Sequence, residues 1–109
     1  MRYVVLHHTA PPSHGGPHFD LMLDSDGKSP LWTWRVYDWP PRATTRIERL
    51  PDHRRRYLNY EGPISDGRGD VRRVESGVAV LAIDHIHLTT DDQQQRTVKL
   101  GEQSERPKL

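Results

Sequence analysis

Residues 7 to 20 read HHTAPPSHGGPHFD and hold four of the chain's seven histidines. His18 and Asp20 stand two positions apart, a spacing that sends both side chains from one face of an extended strand, with Cα atoms about 7 Å apart. From that separation an imidazole nitrogen and a carboxylate oxygen can lean toward a single cation. His8 precedes the loop from Thr9 to Pro17 and comes beside His18 if the flanking strands pair antiparallel. Two imidazoles and one carboxylate would leave open positions on a divalent ion, as catalysis at a metal requires. A His-x-Asp pair alone is more often hydrogen-bonded than metal-bound, so the third residue carries the argument. His7 points to the opposite face and His14 lies in the loop. His85 and His87 share a face without a nearby partner and read as surface or barrel-lining residues. The chain has no cysteine, so any metal takes nitrogen and oxygen ligands and no disulfide framework exists.

The elements that must hold these residues are strands. RYVVLHH alternates with Val4, Leu6 and His8 on one face and Tyr3, Val5 and His7 on the other, which predicts a first strand. HFDLMLD alternates again, with Phe19, Leu21 and Leu23 toward a core and His18, Asp20, Met22 and Asp24 on a polar face. DSDGKS is a turn signal, and residues 18 to 37 read as a hairpin ended by Pro40 and Pro41. ATTRIERL suits a strand or a short helix, and a brief helical turn is expected where PDHRRRYLNYEG begins. Further on, VRRVESGVAVLAIDHIHLTT predicts a hairpin turning at Ser76 and Gly77, then a strand to about Leu88 and a last strand RTVKL. The expectation is a mostly β fold, a small antiparallel β-barrel with at most short helical turns. One domain spans residues 1–100, and residues 101–109 form a flexible tail.

Hydrophobic residues are 33% of the 109, so the core is thin and relies on three Trp and four Tyr. No stretch is long enough for a membrane span or a signal peptide's apolar region, which predicts a cytoplasmic protein. Net charge is only +1, yet the window from Arg42 to Arg73 holds nine Arg against Glu48, Asp52, Glu61, Asp66 and Asp70. An Arg-rich window with planar forks suits phosphate oxygens, and is also ordinary solvated surface.

Taken in order, YVVLHH, HFDLMLD, LWTWR, DHRRRYLNYEGPISDG and SG resemble the 3′-phosphoesterase domain of bacterial DNA ligase D, which also occurs as a stand-alone protein. The resemblance covers about residues 3 to 80. It implies a compact β-barrel with a Mn²⁺-dependent site that removes a terminal ribonucleoside, then the 3′-phosphate, from DNA or RNA primer strands. By that resemblance His8, His18 and Asp20 are metal ligands, His53 is a phosphate-directed catalytic histidine and Tyr57 contacts phosphate. Zinc or another divalent ion would compete for the same ligands. DNA or RNA 3′ ends are the implied partners, with repair ligase or polymerase proteins alongside, and the expected state is a monomer.

The chain departs from the family pattern at named positions. Met22 stands where the family has an arginine two residues past the metal aspartate; Leu6 and Pro51 replace a polar and an acidic residue. Only two residues precede Tyr3, so no counterpart of the family's catalytic arm is expected. The His8-to-His18 loop is longer than the family's, and RVYDWPP replaces a lysine-containing turn. Arg35, Arg42 or Arg46 could supply the missing charge, and Arg35, Arg46, Arg54 and Arg55 are the candidate phosphate or nucleic-acid contacts. Two functions follow from this pattern: a metal-dependent phosphoesterase, or a non-catalytic metal-containing module that binds nucleic acid or protein.

Overall fold

The computed structural model describes residues 1–101 and Pro107. Its strands are β1 (Arg2–Thr9), β2 (Pro17–Asp24), β3 (Leu31–Val36), β4 (Ile47–His53), β5 (Gly62–Pro63), β6 (Asp70–Leu81), β7 (His85–Thr90) and β8 (Gln95–Lys99). Every pairing is antiparallel, in the order β4-β3-β2-β1-β6-β7-β8, with β5 paired to the start of β6. The sheet curls into a half-barrel, and among the described residues helical structure is confined to two 3₁₀ turns, Pro12–His14 and Arg55–Leu58. The mostly β expectation is met. No described helix is long and apolar enough to cross a membrane. The expected C-terminal tail lies, apart from Gly101 and Pro107, outside the described residues.

Alternation along the strands builds two cores, one on each face of the sheet. Tyr3, Val5, Leu21, Leu23, Trp34 and Val36 turn inward and meet Ile86, Leu88 and Val98 from the far strands. Fully burying such apolar side chains stabilises the fold by about 1.5–3 kcal/mol each. Glu75 ties this interior together, accepting hydrogen bonds from Tyr3 Oη, Trp39 Nε1 and Arg96 Nε at 2.8, 2.9 and 2.8 Å. A carboxylate held among that many donors and a cation is compensated for leaving water. Burial, together with the neighbouring Glu75, pushes the Tyr3 phenol above its ordinary range.

The face of β2 expected to be polar, that of His18, Asp20, Met22 and Asp24, instead takes part in a second core through Met22. Val4, Leu6, Met22 and Leu31 form a second core with Leu58 and Val71, against which Tyr57, Tyr60 and Ile64 pack. The segment between β4 and β6 therefore folds back over the sheet. A bidentate pair from Arg55 to Asp24, at 2.6 and 2.8 Å, holds it there with a hydrogen bond from Arg55 to the Ser29 carbonyl.

Two other expectations change. The helical turn begins at Arg55, because Pro51, Asp52 and His53 complete β4. Proline is tolerated there because β4 is an edge strand. Ser76 and Gly77 are no turn: β6 runs through them, and the chain reverses between Leu81 and His85. Gly77 is required by a close approach, since a Cβ there would lie 2.0 Å from the Thr89 carbonyl oxygen.

Candidate metal centre

The β1–β2 register sets His8 directly opposite His18 and Leu6 opposite Asp20. Cross-strand partners project from the same face. One ligand atom each from His8, His18 and Asp20 therefore falls within 4.8 Å of the other two. His8 Nδ1 is 3.5 Å from Asp20 Oδ2, and His18 Nε2 is 3.3 Å from Asp20 Oδ1. His18 and Asp20 are buried, with 2% and 3% exposure, at the edge of the second core.

The outer nitrogens of both rings are committed to backbone carbonyls. His8 Nε2 lies 2.7 Å from the Arg68 oxygen, and His18 Nδ1 lies 2.8 Å from the Gly16 oxygen. A carbonyl only accepts, so these nitrogens carry the protons and donate. When the rings are neutral, His8 Nδ1 and His18 Nε2 then present lone pairs toward a carboxylate that also only accepts. His18 Nε2 and Asp20 Oδ1 are buried without any hydrogen-bond partner. Converging acceptors with no donor between them fit a cation, and ring N–H groups held by backbone carbonyls are the usual support for ligating histidines. The donor set suits zinc, manganese or a similar divalent ion.

Charge in the cluster follows the same geometry. Burial pulls the Asp20 carboxyl upward, but the facing His18 and His8 imidazoles outweigh it and hold Asp20 at about 2. Asp20 in turn raises the His8 imidazole above its ordinary value, against the effect of burial.

The support for His8 depends on the loop from Ile64 to Gly69. Gly69 has φ +95°, and a Cβ there would stand 2.3 Å from the Thr9 carbonyl oxygen. Only glycine lets this loop press against the end of β1 and deliver the Arg68 carbonyl. Sequence reasoning missed Arg68 and Gly16 because backbone carbonyls leave no side-chain signal.

A cleft of about 480 Å³ opens from the cluster, lined by His8, Asp20, Met22, His53, Arg54, Arg56, Tyr57 and Arg68 among others. His53 ends β4, its Nδ1 donating to the Pro51 carbonyl at 2.8 Å, with its ring 6.1 Å from that of Tyr57. Arg54 lines the cleft and Arg56 stacks over Tyr60, its guanidinium 4.5 Å from the ring centre. A groove of about 530 Å³ between Pro40, Pro41 and β8 contains only one His–Asp pair, His85 and Asp84 at 2.8 Å, so the chemistry concentrates in the smaller cleft.

Of the sequence-predicted residues, His8, His18, Asp20, His53, Tyr57 and Arg54 are brought together. Arg55 is not: its fork is filled by Asp24, which sequence reasoning did not pair with it. Arg46 lies away from the cleft, 3.7 Å from Glu48 and over the Tyr37 ring, and Arg42 is paired with Asp38. Arg35 is the cross-strand partner of Asp20 and projects from the same face as the cluster. The His14 side chain bonds to its neighbour Ser13, outside the cluster. Comparison of the sequence with family models and with curated proteins gives no match.

Proposed function

We propose that the chain is a divalent-metal-dependent phosphoesterase acting on the 3′ ends of nucleic-acid strands, Mn²⁺ being the implied ion, in the cytoplasm beside repair ligase or polymerase proteins. The observation that carries the reading is the convergence of His8 Nδ1, His18 Nε2 and Asp20 at the mouth of a cleft, with His18 Nε2 and Asp20 Oδ1 buried and unpartnered. The resemblance of the ordered motifs to the ligase D phosphoesterase domain supplies the substrate class.

When bound, a divalent ion supplies Lewis-acid polarisation of a phosphoryl oxygen. His8, His18 and Asp20 would hold it, with the Arg68 and Gly16 carbonyls fixing the two rings. His53 lines the cleft with its Nδ1 proton committed to Pro51, which leaves Nε2 to accept or carry a proton at the scissile phosphate. Tyr57 would hydrogen-bond developing charge on a phosphate oxygen. Arg54, Arg56 and Arg68, which line the cleft beside Asp52 and Asp66, would meet the phosphate oxygens.

The test is incubation of purified protein with Mn²⁺ and a duplex carrying a recessed 3′-phosphate strand, with products read by mass. Loss of the phosphate supports the proposal; an unchanged strand contradicts it. Met22 favours a second reading, a metal-containing module that binds nucleic acid or protein without turnover. Its thioether lines the cleft where the family has arginine, and it neither pairs with phosphate nor donates a hydrogen bond. Salt-sensitive nucleic-acid binding without any product would select that reading.

A further inference from the structure

Three buried side-chain polar atoms among the described residues lack a hydrogen-bond partner: His18 Nε2, Asp20 Oδ1 and Arg35 Nε. The first two belong to the candidate metal cluster, and the third belongs to the residue directly across β2–β3 from Asp20. The Arg35 guanidinium forms no ion pair or hydrogen bond with any described residue. It lies against the Gly15 backbone, where a Cβ would come within 2.8 Å of one of its terminal nitrogens. The Arg35 side chain projects from the same face of the sheet as the His8, His18 and Asp20 cluster. Glu48, the β4 partner of Arg35 in register, is paired with Arg46 instead.

A guanidinium projecting from the same face as a dication site, with no carboxylate of its own, is repelled by the ion unless an anion lies between them. We propose that Arg35 is the anion clamp of this site, its planar fork taking oxygens of a phosphate group that also meets the ion held by His8, His18 and Asp20. The positive charge missing at Met22 on β2 is thereby supplied from β3, across the strand pair. Arginine rather than lysine suits this place, because a planar fork matches two phosphate oxygens at once. The identity of the anion rests on the phosphoesterase reading; the position of the clamp rests on the geometry of Arg35.

Such a clamp makes phosphate and metal bind cooperatively, since each relieves the charge imbalance left by the other, and this coupling is reciprocal. The experiment titrates Mn²⁺ into the full chain with and without inorganic phosphate, following free Mn²⁺ by paramagnetic resonance against a protein-free control. In wild type, phosphate should tighten Mn²⁺ binding about tenfold, within the usual range of coupling between sites. Arg35→Gln should bind Mn²⁺ alone at least as well as wild type and lose the coupling. Arg35→Lys, which keeps charge without the fork, should retain part of it.

Coupling that persists in Arg35→Gln, or is absent from wild type, overturns the clamp. So does loss of Mn²⁺ affinity in Arg35→Gln without phosphate, which would make Arg35 a positioning residue for the cluster. The two readings fail separately. A wild type that removes no 3′-phosphate but shows Arg35-dependent coupling keeps the clamp and discards the hydrolase. A wild type that removes it, with coupling and KM unchanged in Arg35→Gln, keeps the hydrolase and discards the clamp.

Discussion

His8 and His18 are register partners across β1 and β2, with ring centroids 4.8 Å apart and planes at 67°. Each ring donates outward to a carbonyl from a loop, so their bare nitrogens turn inward to Asp20. A hairpin register, two loop carbonyls and one buried carboxylate thus make a pocket of acceptors. The geometry yields consequences at His53, at the arginines and at Asp24.

His53 lines the cleft but is not among the converging ligand atoms. Its loss should spare the metal and remove proton transfer or charge stabilisation at the phosphate. Removing one such donor typically costs about 10²–10³ in rate. His53→Ala should therefore keep its Mn²⁺ and lose turnover by about that factor, whereas His18→Ala should lose both. Metal content and the rate of 3′-phosphate release, measured on the same preparations, check this. Metal loss in His53→Ala would make His53 a ligand.

Arg54 and Arg56 line the cleft, while Arg55 turns away to Asp24. If the first two meet a phosphate backbone, nucleic-acid affinity should fall with salt through counterion release, by a slope of about 0.7–0.9 per phosphate neutralised. Charge reversal at Arg54 and Arg56 should weaken binding and flatten that slope. The same change at Arg55 should act on stability instead. Salt titrations of the three variants, followed by fluorescence anisotropy, separate these outcomes; equal slopes would leave Arg54 and Arg56 as solvated surface.

The Asp24–Arg55 pair fastens the folded-back segment, and it carries a pH signature. The hydrogen bonds from Arg55 hold the Asp24 carboxyl below its ordinary value. A carboxyl depressed in the folded state stabilises the fold above its unfolded pKa, and that contribution is lost as pH falls through the folded pKa. Asp24→Asn should lower the thermal midpoint at neutral pH, and the gap from wild type should close as pH falls through the depressed folded value of Asp24. A gap that stays constant into acid would mean that the pair contributes nothing through its charge.

The hairpin and the grouping of His8, His18 and Asp20 were legible because they rest on local pattern. Alternation in YVVLHH and HFDLMLD assigned the faces, and the short Thr9 to Pro17 loop left antiparallel pairing as the simplest link. What escaped the sequence depended on residues remote in the chain. Ser76 and Gly77 carry a turn's composition, but the glycine answers to Thr89 on the neighbouring strand. Arg55 resembled its neighbours in an arginine run until Asp24, on another hairpin, took its fork. The face read as polar gained a core because Leu58 and Ile64 cover it from a segment whose fold-back no local pattern announced. The proposed metal site rests on its own geometry, whereas the proposed substrate class rests on the motif resemblance alone.

The central claim is that His8, His18 and Asp20 bind a divalent ion, and a Mn²⁺ titration followed by paramagnetic resonance tests it most directly. Wild type should bind one equivalent. Asp20→Ala should lose that binding, and His14→Ala, altered at an exposed histidine whose side chain bonds to Ser13, should keep it. Binding that survives in Asp20→Ala at the wild-type level, or a wild type that binds no Mn²⁺, would contradict the account.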